Sequence, residues 1–343
     1  MKLATLNPGT RDGQLVVVNR ALTRMRAVPH IAATLQQALD DWARCAPRLQ
    51  AEYADLQAGG AGLPFDATQC AAPLPRAYQW LDASAYLNHV DLTRRARGGE
   101  MPPSFHTDPL MYQGASDDFM GPCDPITAAS EDLGVDLEAE IVVVTDDVPL
   151  GVDARKALDH VVLLGLVNDV TLRNVVLPEL SKGFGFLQGK PASALSPVLV
   201  TPDELAPYWR DGKLHRPMQV WLNGTLIGQP QAGEEMQFNF GELIAHAART
   251  RRLGAGTLLG SGTISNASDA VGVCCLVEAR VREQLRDGQM RTPFLKHGDR
   301  VRIAMRDDAG NSLFGDIDQQ VQIPGTRPLP KTAAAPAPQA VTA

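Results

Sequence analysis

Three carboxylates at alternate positions, Asp136, Glu138 and Glu140, run directly into the apolar stretch IVVV at 141–144. On a strand, side chains two apart share a face, so the three would point the same way. Like charges crowded beside an apolar run are costly unless a cation lies among them. Oxygen-only ligands favour Mg2+, Ca2+ or Mn2+ over zinc. The plainer alternative is a solvated strand face.

Other residues of the same kind lie elsewhere. Asp169 closes the apolar run HVVLLGLVN and is either the cap of a following helix, paired with Arg173 one turn on, or a ligand at the rim of a core. Lys190 sits in the Gly-rich segment GFGFLQGKPASALSP, where it is either an exposed loop lysine or a contact for an oxyanion. Asp82 and His89 stand seven residues apart in WLDASAYLNHV; His89 is either a surface residue or a general base. GSGTIS (260–265) is a Gly-Ser-Gly turn without the lysine of a Walker A loop. It can offer backbone N–H groups, that of Gly262 among them, or the Thr263 hydroxyl to a substrate carboxylate. Glu278 lies inside the strand-like stretch VGVCCLVEARVRE, and a buried Glu needs a His or Arg partner.

The elements that must position these residues read as mostly β. Residues 3–6 and 14–19 form strands, and 30–57 carries helical spacing broken at Pro47. GGAGLPF reads as a linker, so residues 1–70 form a small N-terminal domain. In the body, 84–97 reads as helical and 101–125 as a long irregular loop. IVVVT, HVVLLGLVND, SPVLVT, MQVWLNGTLIG, TLLGSGTIS and DRVRIAMRDDAGNSLFGDI read as strands, with a hairpin at Asn223-Gly224. Residues 240–252 form an amphipathic helix stopped near Leu253-Gly254. The Pro/Ala-rich tail, 324–343, reads as disordered. Apolar runs alternate with turn clusters, not with crossover helices, which excludes a doubly wound sheet and gives an α+β body over 71–323.

Composition bounds the function. The chain has 343 residues, 44% hydrophobic and 21% charged, ordinary for a globular protein. A net charge of −7 argues against nucleic acid; the longest basic cluster, Arg94, Arg95 and Arg97, is a solvated helix face or an attractor of an anionic substrate. Five scattered cysteines with no C-x-x-C pair fit neither a disulfide framework nor a zinc knuckle. No apolar run approaches a membrane span and no leader is legible, so a reducing cytoplasm is the expected setting.

In combination and order, these motifs resemble the fumarylacetoacetate hydrolase family, through DLEAE, LVNDVTLRN, LQGKPASALSPVLVT and GSGTIS over about residues 70–322. The resemblance implies a mixed β-sandwich roll with a small N-terminal domain, usually dimeric, holding Mg2+ or Ca2+. It implies Glu138, Glu140 and Asp169 as metal ligands, with Asp82 a fourth in the fumarylacetoacetase-like branch. His89 matches the base and Glu278 the acid that orients it. Arg173 and Lys190 match cations around the attacked carbonyl, and Tyr112 (in PLMYQGAS), Gly262 and Thr263 match substrate contacts. The implied reaction is C–C cleavage of a small 1,3-diketo acid, for fumarylacetoacetate the last step of tyrosine breakdown. Relatives of the same fold hydrolyse acylpyruvates, decarboxylate oxaloacetate, or hydrate and isomerise dienoic acids; a non-catalytic ligand-binding β protein is the alternative from another class. Val176 stands where that branch has a Gln three residues after the Arg.

Overall fold

The computed structural model describes residues 1–96 and 98–324. Arg97 and the tail segment 325–343 therefore lie outside the described residues. Two large sheets and seven α-helices make up an α+β fold dominated by strands.

The larger sheet runs from an edge at Leu63–Pro64 through Arg24–Ala27, Gln14–Val18, Lys2–Leu6 and Leu199–Val200. It continues through Val161–Asn168, Ala139–Thr145, Leu258–Gly260 and Trp80–Ala83 to Met111–Gln113. The second sheet orders Thr225–Gly228, Gln219–Leu222, Arg300–Ala304, Ile317–Gln322 and Ile126–Thr127. Its first two strands are joined by Asn223 and Gly224, both at positive φ (52° and 80°), as a tight hairpin of this kind requires.

The valine runs follow from burial on both faces. Ile141 and Val143 enter a core shared with Val220, Val301, Ile303 and Ile317 of the second sheet. Val142 and Val144 point the other way, into a core shared with Leu49 and Tyr53 of the helix Trp42–Gln57. A strand covered on both sides reads as a continuous apolar run. Leu3, Leu15 and Val17 contribute to that outer core, while Ala4, Val16 and Val18 contribute to the inner one. Residues 1–70 therefore extend the large sheet by four strands and cover its outer face.

Several expectations need correction. The helical stretch near residue 47 does not break at Pro47. It breaks at Asp40-Asp41, and Trp42–Gln57 runs through the proline, held by burial of Cys45, Leu49, Tyr53 and Leu56. GGAGLPF supplies the edge strand Leu63–Pro64 instead of a bare linker. The 101–125 segment contains the strand Met111–Gln113, which carries Tyr112. VGVCCLVEARVRE is not a strand: Leu276–Asp287 is a helix, started by the Asp136 carboxylate and ended by Gly288 at φ 74°. Among the described residues, no helix is long and apolar enough to cross a membrane.

Candidate active site

The outer-core face of three adjacent strands changes character at one end. Trp80 and then Asp82, Val142 and then Glu140, and Leu258 and then Gly260 occupy the same side. The register pairs Gly260 with Asp82 on one neighbour and with Val142 on the other. Gly260 leaves the gap into which the carboxylates lean: a Cβ there would lie 2.4 Å from Asp82 Oδ1 and 3.0 Å from Glu140 Oε2. The next residues close the floor, since the Gly262 N–H donates to Glu140 Oε2 (3.1 Å) and Asp82 Oδ1 (3.2 Å). Gly262 itself has φ 79°, and a Cβ would strike the Ala83 carbonyl at 2.4 Å, so the motif needs glycine for two separate reasons.

Asp169 arrives from the end of Val161–Asn168. Carboxylate oxygens of Asp82, Glu140 and Asp169 lie within 4.8 Å of one another, all three side chains buried. Asp169 accepts from the Tyr112 hydroxyl (2.5 Å), Ser193 Oγ (2.7 Å) and Lys190 Nζ (2.6 Å). It neither caps the following helix nor pairs with Arg173. Glu140 Oε1 is buried with no hydrogen-bond partner. Burial first, and then Asp169, pushes the Asp82 carboxyl up to about 8. Burial and then Asp82 raise Glu140 well above the carboxylate range. An orphaned carboxylate oxygen, an all-oxygen donor set and two carboxyls that cannot both ionise cheaply fit a hard divalent cation.

Glu138, expected among the ligands, stands beside this triad and not in it. Arg173 Nη2 lies 2.6 Å from its Oε1 and Lys190 Nζ 2.5 Å from its Oε2. Burial alone would raise its pKa, but Arg173, Lys190 and His89 together hold it below the usual range. Its backbone is fixed by its neighbours: Asn168 Oδ1 accepts its N–H at 3.1 Å and the Asp169 N–H donates to its carbonyl at 2.9 Å. Lys190 gives its three protons to Glu138, Asp169 and Thr171 (2.9 Å to Oγ1), so none is left over for an oxyanion. Its loop is pinned by Glu179, whose carboxylate accepts the N–H groups of Leu187, Gln188 and Gly189.

Asp136 points away from the cation-binding group. It accepts the N–H groups of Leu276 (2.7 Å) and Val277 (3.0 Å) at the start of the Leu276–Asp287 helix and pairs with Arg173 Nε at 2.8 Å. That capped helix carries Glu278, fully buried, whose Oε1 is 2.7 Å from His89 Nδ1. Arg282 lies 3.7 Å from the other oxygen. His89 sits on the helix Leu87–Arg95, and its Nε2 is 4.0 Å from Glu138 Oε1.

Asp82, Glu138, Glu140, His89, Arg173, Lys190, Tyr112, Gly262 and Thr263 line one cavity of about 450 Å³, with Asp169 and Glu278 behind its wall. The structure thus gathers His89, Glu278, Arg173, Lys190, Tyr112, Gly262, Thr263 and the four expected carboxylates in one place. Sequence reasoning missed Gly260, Ser193, Thr171 and the capping role of Asp136. Only Gly260 left a signal, as the first glycine of GSG.

Residues 79–322 match the family model described as fumarylacetoacetate (FAA) hydrolase C-terminal, and residues 1–76 match that of fumarylacetoacetase N-terminal domain 2. The chain is 29% identical over 159 residues to a mitochondrial oxaloacetate tautomerase of Xenopus laevis, covering 46% of this chain and 47% of that protein. It is 31% identical over 161 residues to a 2,4-didehydro-3-deoxy-L-rhamnonate hydrolase of Sphingomonas sp. (strain SKA58), covering 46% and 53%. It thus spans about half the length of the curated relatives it matches. Its fold is similar to that of maleylpyruvate hydrolase from Sphingobium sp. SYK-6, solved in complex with manganese(II) ion and pyruvate, with a TM-score of 0.62, 16% identity, and 94% and 99% of the two chains covered.

Two outcomes follow from the carboxylate floor. Asp82 has a folded pKa raised from 3.8 to about 8, so its contribution to stability is present at low pH and is lost as pH rises toward 8. The melting temperature of chelator-treated protein should fall between pH 5 and 8, Asp82→Asn should flatten that slope, and the stabilisation by added Mn2+ should grow over the same interval. An upward slope for the wild type would refute the assignment. Gly260→Ala should weaken cation binding by about 10- to 100-fold, the range seen when groups orienting ligands are displaced; calorimetric titration with Mn2+ measures it.

Proposed function

The chain belongs to the fumarylacetoacetate hydrolase family, and on that premise we propose that it is a divalent-cation-dependent hydrolase cutting the carbon–carbon bond of a 1,3-diketo acid, with fumarylacetoacetate as the reference substrate. The observation that carries this reading is that His89, held from behind by Glu278, lines the same cavity as Asp82 and Glu140, two of the three clustered carboxylates. A hydrolysis needs a base to activate water, and the His89–Glu278 pair supplies one beside the carboxylates.

Asp82, Glu140 and Asp169 would hold the cation, with Glu138 at their side; the oxygen donors suit Mg2+, Ca2+ or Mn2+, and manganese is the ion in the Sphingobium structure. When bound, such an ion supplies Lewis acidity toward the diketo oxygens and the enolate that departs.

The protein's own residues do the rest. Glu278 accepts a hydrogen bond from His89 Nδ1–H and so fixes the tautomer whose Nε2 lone pair is free. That nitrogen takes a proton from water, and the hydroxide adds to the acyl carbonyl. The tetrahedral adduct collapses with loss of the bond to the central carbon, whose electron pair goes to the departing enolate. The imidazolium returns its proton to that carbon, giving a carboxylic acid and a methyl ketone. Arg173 and Lys190 hold Glu138 ionised, placing a fixed negative charge 4.0 Å from His89 Nε2, where the positive charge develops.

His89→Ala should lower kcat by about 10²- to 10⁴-fold while Mn2+ affinity changes only a few-fold, and Glu278→Gln should lower kcat with KM little altered. Loss of the diketo absorbance, abolished by a chelator and restored by Mn2+, is the assay. Full activity in the His89 variant would remove the base assignment.

A further inference from the structure

The two helices that carry the His–Glu pair continue along the cavity wall. On Leu87–Arg95, His89 and Val90 are followed by Thr93 and Arg94; on Leu276–Asp287, Val277 is followed by Arg280 and Val281. Spacings of three and four keep these side chains on one helix face, and all of them line the cavity. Arg94 lies roughly 7 Å beyond His89 along its helix at 1.5 Å per residue, about the reach of a short acyl chain.

Both guanidinium groups are held, and neither is neutralised. Arg94 stacks 5.2 Å from the Phe105 ring centroid and donates from Nε to the Glu100 carbonyl at 2.9 Å. Arg280 stacks 4.3 Å from the Phe294 ring and donates from Nη1 to the Thr292 carbonyl. Each is thus fixed by one aromatic face and one backbone oxygen, which leaves further N–H donors of the fork for a ligand. Among the described residues, neither has a carboxylate partner, whereas Arg173 and Arg282, on the same wall or behind it, are both paired. Leu110, Leu177, Phe186, Val281 and Phe294 line the same cavity. Two oriented, unpaired cations in apolar surroundings form a receptor for an anion, and a planar carboxylate matches the fork.

We infer that Arg94 and Arg280 are specificity-determining residues that bind the carboxylate ending the acyl half of the substrate, and so select such acyl groups over ones that end in methyl. This deepens the hydrolase reading and rests on it only for which half of the substrate the arginines hold. It also gives the basic cluster at 94–97 one member with a stated task.

The test uses two isosteric pairs on the Mn2+-loaded protein. The first is fumarate against crotonate, in which a methyl replaces one carboxylate, read by calorimetric binding. The second is an acylpyruvate ending in a carboxylate against the same chain ending in methyl, read as kcat/KM. Wild type should prefer the carboxylate-ended member by roughly 10- to 150-fold, the range of a charge-assisted hydrogen bond. Arg280→Met and Arg94→Met should each erode that preference chiefly through KM, and Arg280→Lys should restore part of it. Equal binding of fumarate and crotonate by wild type, or an intact preference in both Met variants, overturns the inference. Selective fumarate binding with no turnover of any acylpyruvate leaves the carboxylate subsite standing and removes the hydrolase reading instead.

Discussion

Carboxyl groups packed together out of water are the constraint on which the site depends. Asp82, Asp136, Glu138, Glu140 and Asp169 are all buried, and the cations that reach them are the buried Lys190 and the half-buried Arg173. In a medium of low dielectric, such an excess of negative charge is relieved by protons, by backbone N–H groups or by a cation. The structure uses the first two unevenly. Asp136, raised by its burial, is met by a helix N-terminus and Arg173, and Glu138 is held ionised by two cations, so both are partnered by protein groups. Asp82 and Glu140 receive a single shared backbone N–H, that of Gly262, and one Glu140 oxygen receives nothing. The unmet demand is therefore localised, and its place is the one where a cation belongs.

The fold can bear that arrangement because the strands beneath it are buried on both faces. Ile141 and Val143 are anchored in the inner core while Val142 and Val144 are anchored in the outer one. A register slip by one residue would drive Glu140 into the inner core and Ala139 or Ile141 into the site. Both hydrophobic layers thus oppose the repulsion that would otherwise push the acids apart. The N-terminal strands and the helix Trp42–Gln57 take part, since they complete the outer core against which Val142 and Val144 pack.

Much of this was legible in the sequence, for reasons of periodicity. The two-residue alternation of DLEAE placed its acids on one side of the strand path, and the structure keeps Val135, Leu137 and Ala139 in the inner core opposite them. What alternation could not show is where each acid turns after leaving the strand. Asp136 serves a helix 140 residues away, and Glu138 is claimed by Arg173 and Lys190, contacts that exist only in the tertiary fold. The Leu276–Asp287 helix was hidden because its first turn adjoins the apolar GVCCLV run, whose burial mimics a strand. Its local signs were the Glu278–Arg282 spacing and Gly288, and its start depends on a cap supplied from Asp136. Arg280 left no signal, because an arginine on a helix is unremarkable until the cavity it faces is known.

Glu138 joins the two halves of the site. One of its oxygens is shared between Arg173 and the approach of His89 Nε2, and the other is held by Lys190, which also grips Asp169. Any change in charge on Asp169 is therefore felt at Lys190, then at Glu138, and then at the imidazole, over contacts of hydrogen-bond length except for the last. Arg173 closes the circuit through Asp136 to the helix that orients Glu278. The two cations keep it charged, 4.0 Å from His89 Nε2. The carboxylate floor and the His89–Glu278 pair are in this way one electrostatic unit, joined through Glu138 and through the Asp136-capped helix that carries Glu278.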